Sequence, residues 1–221
     1  MNAPYTLARS RIVEIGELAL EGDLTIPDSP RGIIAFAHGS GSSRFSSRNR
    51  WVASQLNQHQ LATLLFDLLT PEEALIDERT REFRFDIQLL GDRMIQTVDW
   101  ITQQEELRDL PVGLFGASTG AAAALIAAAA RPGIVRAVVS RGGRPDLAGP
   151  ALPRVQAPTL LIVGGNDHPV IALNKEAQLQ MTAETQLEIV PGASHLFEEP
   201  GTLDTVAQLA QKWFCDKLAR G

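Results

Sequence analysis

Residues 111–130 read PVGLFGASTGAAAALIAAAA, and the architecture turns on this stretch. Pro111 to Gly116 is an apolar run of the kind found in strands covered on both faces. Ser118 to Arg131 reads as a helix, closed by Pro132-Gly133. Between them, Gly116-Ala117-Ser118-Thr119-Gly120 has the pattern G-x-S-x-G. A serine at that junction needs a sharp turn with strained backbone angles, and small neighbours prevent collisions there. The turn exposes Oγ, and the start of the helix supplies N–H groups and the positive end of its dipole. The alanines from Ala121 onward let the helix lie close on the sheet. The plain alternative is a tight glycine-rich turn with no chemistry.

Working outward, the same alternation continues in both directions. Ile12 to Glu17 and Leu18 to Pro27 have period-two patterning and suggest an antiparallel opening pair. Gly32 to Ala37, Ala62 to Asp67, Ile134 to Ser140, Thr159 to Gly164 and Gln186 to Val190 read as further strands. Arg50 to Gln60, Phe85 to Gln104, Val170 to Met181 and Leu203 to Leu218 read as helices. Strands separated by helices imply right-handed crossovers and an α/β fold. The expected sheet is mostly parallel, of about eight strands, with helices on both faces. In such sheets chemistry collects at the carboxyl ends of the strands. The charged stretch Glu72 to Arg84 reads as a solvated connection, with a short mobile lid as the other reading.

Composition narrows the class. The chain has 221 residues, 44% of them hydrophobic and 21% charged, with a net charge of −6. That sign works against broad nucleic-acid or anionic-membrane binding, so neither partner is expected. The one cysteine, Cys215, rules out an intrachain disulfide framework or a cysteine-rich zinc module. Met1 to Ser10 is polar with no apolar segment behind it, and the longest apolar run, Ala121 to Ala130, is far short of the roughly 20 residues a membrane span requires. No repeat or long linker divides the chain. A single domain over residues 1–221, in the cytoplasm, is the expectation.

On the elbow Gly116 to Gly120 and its strand–turn–helix setting, the chain resembles an α/β-hydrolase, over nearly its whole length. Its small size and the lack of a large cap domain are similar to the dienelactone-hydrolase-like group. That group carries cysteine at the elbow, where this chain has Ser118. The resemblance therefore implies serine-esterase-like chemistry rather than lactone specificity.

A serine hydroxyl needs a base to take its proton. Of the four histidines, His38, His59, His168 and His195, His59 reads as a surface residue and His38 as a structural hydrogen-bonding residue at a loop start. His195, in Pro191-Gly192-Ala193-Ser194-His195-Leu196-Phe197, lies where the resemblance places the base. Asp167, in Gly164-Gly165-Asn166-Asp167-His168, completes the order Ser…Asp…His. Asp167 could instead cap the next helix, and Asp146 is a competing acid. Asp67 precedes the serine and fits the order badly. For the oxyanion, the resemblance implies the backbone N–H of Thr119 and one from His38-Gly39-Ser40-Gly41-Ser42-Ser43, with Ser40 the choice and Gly41 its rival. A phosphate cradle of the Walker type would need a following Gly-Lys-Ser/Thr, which is absent.

Seventeen of the 20 basic residues are arginines. Arg44, Arg48, Arg141 and Arg144 fall near strand ends, where arginine forks could hold an anionic acyl or ester substrate. Surface ion pairs with the many acids are the ordinary alternative. The expected function is hydrolysis of an ester-like bond of a small molecule through an acyl-enzyme on Ser118, with no metal or organic cofactor implied. An acyltransferase or peptidase would use the same triad, and a non-catalytic ligand-binding protein could share the scaffold.

Overall fold

The computed structural model describes residues 8–219. The strands are β1 (Arg9–Ile15), β2 (Leu20–Ile26), β3 (Gly32–Ala37), β4 (Leu61–Phe66), β5 (Val112–Ala117), β6 (Val135–Arg141), β7 (Thr159–Gly164) and β8 (Thr185–Val190). The helices are α1 (Ser47–Gln58), α2 (Pro71–Thr80), α3 (Ile87–Gln103), α4 (Thr119–Ala130), α5 (His168–Gln180) and α6 (Thr202–Lys217). All eight strands form one sheet, in the order β1-β2-β4-β3-β5-β6-β7-β8. β1 runs antiparallel to β2, and β2 antiparallel to β4; every other pairing is parallel. The expected mostly parallel, eight-stranded α/β sheet is the one found, and among the described residues no large cap domain interrupts it.

The continuous apolar runs explain which strands lie in the middle. Every residue of β3, β4, β5 and β7 is buried. One face packs Ile33, Ala35, Leu64 and Leu114 against Met94 and Val98 of α3 and Leu125 of α4. The other packs Ile34, Phe36, Phe115 and Val139 against Val52 and Leu56 of α1 and Phe214 of α6. β3 lies between β4 and β5, so the chain leaves β3 toward one side and later returns to the other. That reversal opens a crevice at the carboxyl ends of β3 and β5, where α/β sheets take their ligands. The loop after β3 and the elbow after β5 both end there.

One segment differs from the sequence reading. Glu72 to Arg84 is not a plain connection, because α2 occupies most of it. Thr70 Oγ1 accepts the Glu73 N–H at 3.2 Å while Glu73 Oε2 accepts the Thr70 N–H at 2.8 Å, a reciprocal cap that stabilises a charged helix with little apolar face. The turn beyond it is latched by Asp77, which accepts the N–H groups of Phe83 and Arg84 at 2.9 Å each. After β6, Pro145–Arg154 forms 3₁₀ turns broken at Gly149 (φ 46°). No helix among the described residues is long and apolar enough to cross a membrane.

Candidate active site

Ser118 sits at the top of β5 with φ 51° and ψ −121°. A non-glycine residue in that conformation is strained and needs its surroundings to hold it there. Three backbone hydrogen bonds do so. Its N–H donates to the Arg141 carbonyl at 3.2 Å, and its own carbonyl accepts from Ala121 at 3.1 Å and Arg144 at 3.0 Å. Close backbone approach does the rest. A Cβ on Gly120 would lie 2.3 Å from the Ala37 carbonyl oxygen, and one on Gly39 would lie 3.2 Å from Ser118 Cβ. The elbow and the loop after β3 are therefore in contact around the half-buried serine.

Asp167 and His195 come from the turns after β7 and β8. These two turns are laced together: Asn166 N–H donates to the Ala193 carbonyl at 2.9 Å, and the Asn166 side-chain amide donates to Gly192 at 2.9 Å. Gly164 lies so close beneath that a Cβ there would meet the Ala193 and Ser194 carbonyl oxygens at 2.5 Å. On the other side of the ring loop, Glu199 accepts the Ser194 N–H at 2.9 Å. Hydrogen bonds from Ser194 hold the Glu199 carboxyl below the usual carboxylate range. Asp167 is the N-cap residue of α5, yet its side chain makes no capping hydrogen bond. It turns instead to His195, whose Nδ1 lies 2.6 Å from Asp167 Oδ2. Such a bond assigns the proton to Nδ1 and leaves the lone pair on Nε2.

The imidazole and the serine approach from either side of one dipeptide. Arg141 receives the Ser118 N–H. The next residue, Gly142, lies so near the ring that a Cβ on it would be 3.6 Å from His195 Cε1. Among the described residues Ser118 Oγ forms no hydrogen bond. Contacts of this kind are often long without substrate and close in the reacting complex. For the oxyanion, Thr119 is the first residue of α4, whose leading N–H groups have no partner within the helix. The loop 38–43, with Ser40 in it, lines a cleft of about 470 Å³ together with Leu68, Leu69, Asp77 and Arg84.

His38 anchors that loop. Its Nδ1 lies 2.9 Å from the Gly39 carbonyl, and its Nε2 accepts the Leu68 N–H at 3.1 Å, so the ring is neutral and tied to the segment after β4. Burial pushes its pKa below 6.5, against smaller opposing effects of the Gly39 carbonyl and Asp67. The unfolded chain therefore takes up this proton first, and stability is lost as pH falls from about 6.5 toward the folded value. Between pH 7 and pH 5 the thermal midpoint of the native chain is expected to fall further than that of His38→Gln, whose side-chain oxygen can still accept from Leu68. Equal falls would assign the acid sensitivity to other groups.

The arginines divide in their partners. Arg44 is taken up by the chain's own acids: its guanidinium pairs with Asp67 and, at 2.5 Å, with Glu21, and its face lies 4.2 Å over the Phe45 ring. Arg144 forks onto Asp146 through bonds of 2.9 and 2.7 Å. Both guanidiniums are engaged by the chain's own carboxylates, and Asp146 pairs with Arg144 while His195 bonds Asp167. Arg141 donates to the buried Asn49 of α1 at 3.4 Å, and Arg48, in the same helix, lies 3.5 Å from Glu198. Asn49 and Arg84 escaped the sequence reading: Asn49 lies between two arginines and Arg84 between two phenylalanines, neither with a periodic signal. His59 is exposed and bonds Gln55 of its own helix at 2.9 Å. No group of three or more His, Cys, Asp or Glu side chains converges as a metal site would require, among the described residues.

Comparison with known proteins agrees with this fold. A family model described as "Alpha/beta hydrolase domain" matches residues 30–218, and the chain belongs to that family. Within it the chain is dienelactone-hydrolase-like. It is 58% identical to a dienelactone hydrolase from Anabaena variabilis, with a TM-score of 0.92 over 96% of this chain and 98% of that one. Est1E from Butyrivibrio proteoclasticus shares the fold at 14% identity, with a TM-score of 0.78 over 96% of this chain and 99% of that one. A Mycobacterium tuberculosis (strain H37Rv) protein, provisionally named a phosphoribosyl transferase, is 59% identical over 206 residues, 93% of this chain. The chain spans only 46% of that relative's length.

Proposed function

We propose that the chain is a serine hydrolase that cleaves an ester-like bond of a small molecule through an acyl-enzyme on Ser118, and that residues 1–221 act as one such unit. The observation that carries this reading is the turning of Asp167 away from its own helix and onto His195 Nδ1 at 2.6 Å. A carboxylate with only a structural role would cap α5.

In this mechanism His195 Nε2 removes the Ser118 proton as Oγ attacks the ester carbonyl. The carbonyl electron pair moves to oxygen, where the N–H groups of Thr119 and Ser40 receive it. On collapse the C–O bond to the alcohol breaks, and the imidazolium returns its proton to the departing oxygen. Water then repeats the sequence on the acyl-enzyme and releases the acid. Asp167 keeps the ring in its Nδ1–H form and stabilises the imidazolium without accepting the proton itself.

The phosphoribosyl-transferase name is said of proteins more than twice as long, and it is not carried over to this chain. A fluorophosphonate probe tests the hydrolase reading directly. The native protein is expected to label rapidly at Ser118, Ser118→Ala not at all, and His195→Ala at least about a hundredfold more slowly. Folded native protein that does not label would favour a ligand-binding role on the same scaffold.

A further inference from the structure

Asn174 is an amide buried in the middle of a helix, at a position that suits an apolar side chain. It lies in α5 and is fully buried, although asparagine is a weak helix former and a buried amide is costly unless hydrogen-bonded. One Nδ2 proton stays within the helix and goes to the Val170 carbonyl at 2.8 Å. The other leaves it and goes to the Gly143 carbonyl at 2.9 Å. Among the described residues its Oδ1 has no partner. Stability alone does not account for such a residue, because a buried acceptor without a donor is a loss that an apolar side chain avoids. What the amide holds does account for it.

Gly143 belongs to a short strap, Arg141 to Arg144, at the carboxyl end of β6. The strap grips the elbow at both ends: the Arg141 carbonyl accepts the Ser118 N–H at 3.2 Å, and the Arg144 N–H donates to the Ser118 carbonyl at 3.0 Å. Between them Gly142 turns with φ 50°, donates to the Ile162 carbonyl of β7 at 2.7 Å, and lies beside the His195 ring. Gly143 packs between β6 and α4, where an added Cβ would meet Ser140 Oγ and lie 2.6 Å from Ala121 Cβ. The strap's other neighbour is α5, whose N-cap residue is Asp167. Asn174 follows Asp167 by seven residues, two helical turns, so both lie along the same side of α5. Among the described residues the bond from Asn174 to Gly143 is the one hydrogen bond from α5 to the strap. It joins the element that carries Asp167 to the segment that holds Ser118.

We propose that Asn174 is a positioning residue for the hydrolysis: its hydrogen bond to the Gly143 carbonyl sets the strap, and through it the distance between Ser118 and the His195 ring. The proposal deepens the hydrolase reading and rests on it for the reaction. Ser118 is held by the strap and by the first turn of α4, whereas Asp167 and His195 are held by the laced turns after β7 and β8. The two glycines at 142 and 143 give the strap little stiffness of its own, so a tether decides where it rests. Misplacing reacting groups by about 1 Å costs on the order of a hundredfold in rate. The cleft along loop 38–43 includes no residue of the strap or of α5, so the loss belongs to kcat and not to KM.

Two variants with opposite changes in volume test this. Asn174→Ala removes the donor and leaves space, and Asn174→Leu removes the donor and overfills it. With 4-nitrophenyl acetate both are expected to lower kcat by about thirtyfold to a hundredfold, while KM stays within about threefold. Fluorophosphonate labelling of Ser118 should slow by the same factor, since it needs the same alignment. Alanine is the strongest helix former, so Asn174→Ala keeps α5 even where the larger side chain of Asn174→Leu prevents folding. Ala177→Gly is the control: it weakens α5 at another fully buried position without touching the strap. It should lower the thermal midpoint and leave kcat within about threefold of the native value. Native kcat in Asn174→Ala, or an equal loss of kcat in Ala177→Gly, would overturn the positioning role while labelling of the native protein still upholds the hydrolase. A native protein that neither labels at Ser118 nor cleaves the ester would overturn the hydrolase reading itself, and this inference with it.

Discussion

Asp167→Asn is expected to lower kcat for any ester substrate by about four orders of magnitude, while Asp146→Asn changes it by less than about threefold. The first change keeps shape and removes charge. An amide at position 167 can present its NH2 to the ring, which favours the tautomer with hydrogen on Nε2, the nitrogen that must accept the serine proton. It also leaves the imidazolium of the reacting complex without its counter-charge. The fold should survive, because the Asp167 side chain does not cap α5, and among the described residues its one side-chain hydrogen bond is to His195. The thermal midpoint is therefore expected to move little while kcat collapses, a split that a merely structural aspartate would not give. In Asp146→Asn the lost group is a partner of the partly exposed Arg144, and such pairs contribute about 1 kcal/mol or less. Steady-state kinetics on one neutral ester, with a melting curve for each variant, separate the two aspartates. If the kinetic loss follows Asp146, the acid has been misassigned.

How far these residues could be read before any coordinates is a matter of range. β3, β4, β5 and β7 were legible because strands buried on both faces leave unbroken apolar runs. The elbow was legible because strand, turn and helix are consecutive, so its geometry is local. Asp167 and His195 were legible as positions after strands, but their meeting depends on β7 and β8 lying side by side in register, with Gly164 opposite Val190. α2 was missed because its ten residues have little apolar periodicity; the Thr70-x-x-Glu73 cap was the available signal. The arginines were the least legible. Arg44 finds Glu21 only because β2 pairs with β4, which brings Asp67 at the end of that strand into the same cluster. Arg141 and Arg144 lie three residues apart, yet among the described residues one ends buried without a carboxylate partner and the other forks onto Asp146. Strand pairing decides such partnerships, and spacing along the chain does not carry it.

Gly120→Ala should be the most damaging single-methyl change near the site. On helix propensity alone, alanine in the first turn of α4 would be favoured by about 1 kcal/mol. Contact opposes this. The new methyl would lie 2.3 Å from the Ala37 carbonyl oxygen and 2.6 Å from that of His38, both backbone atoms at the end of β3. No side chain can rotate to make room, so α4 must move off the sheet or β3 must bend. Overpacking against backbone is expected to win, with a net loss of about 3 kcal/mol and, in a domain of this size, roughly 6–12 °C in thermal midpoint. In the proposed mechanism the displaced parts are also those that face the oxyanion. Shifting α4 carries the Thr119 N–H away from the loop that contains Ser40, and loss of one aligned donor costs about a hundredfold in kcat. Both effects should appear together, well below the melting range. Gly133→Ala is the matched control, since a Cβ there meets nothing within 4 Å, and it should stay within about 0.5 kcal/mol of the parent. If the two variants melt alike, the close seat of α4 on β3 is not what holds the elbow in its strained form.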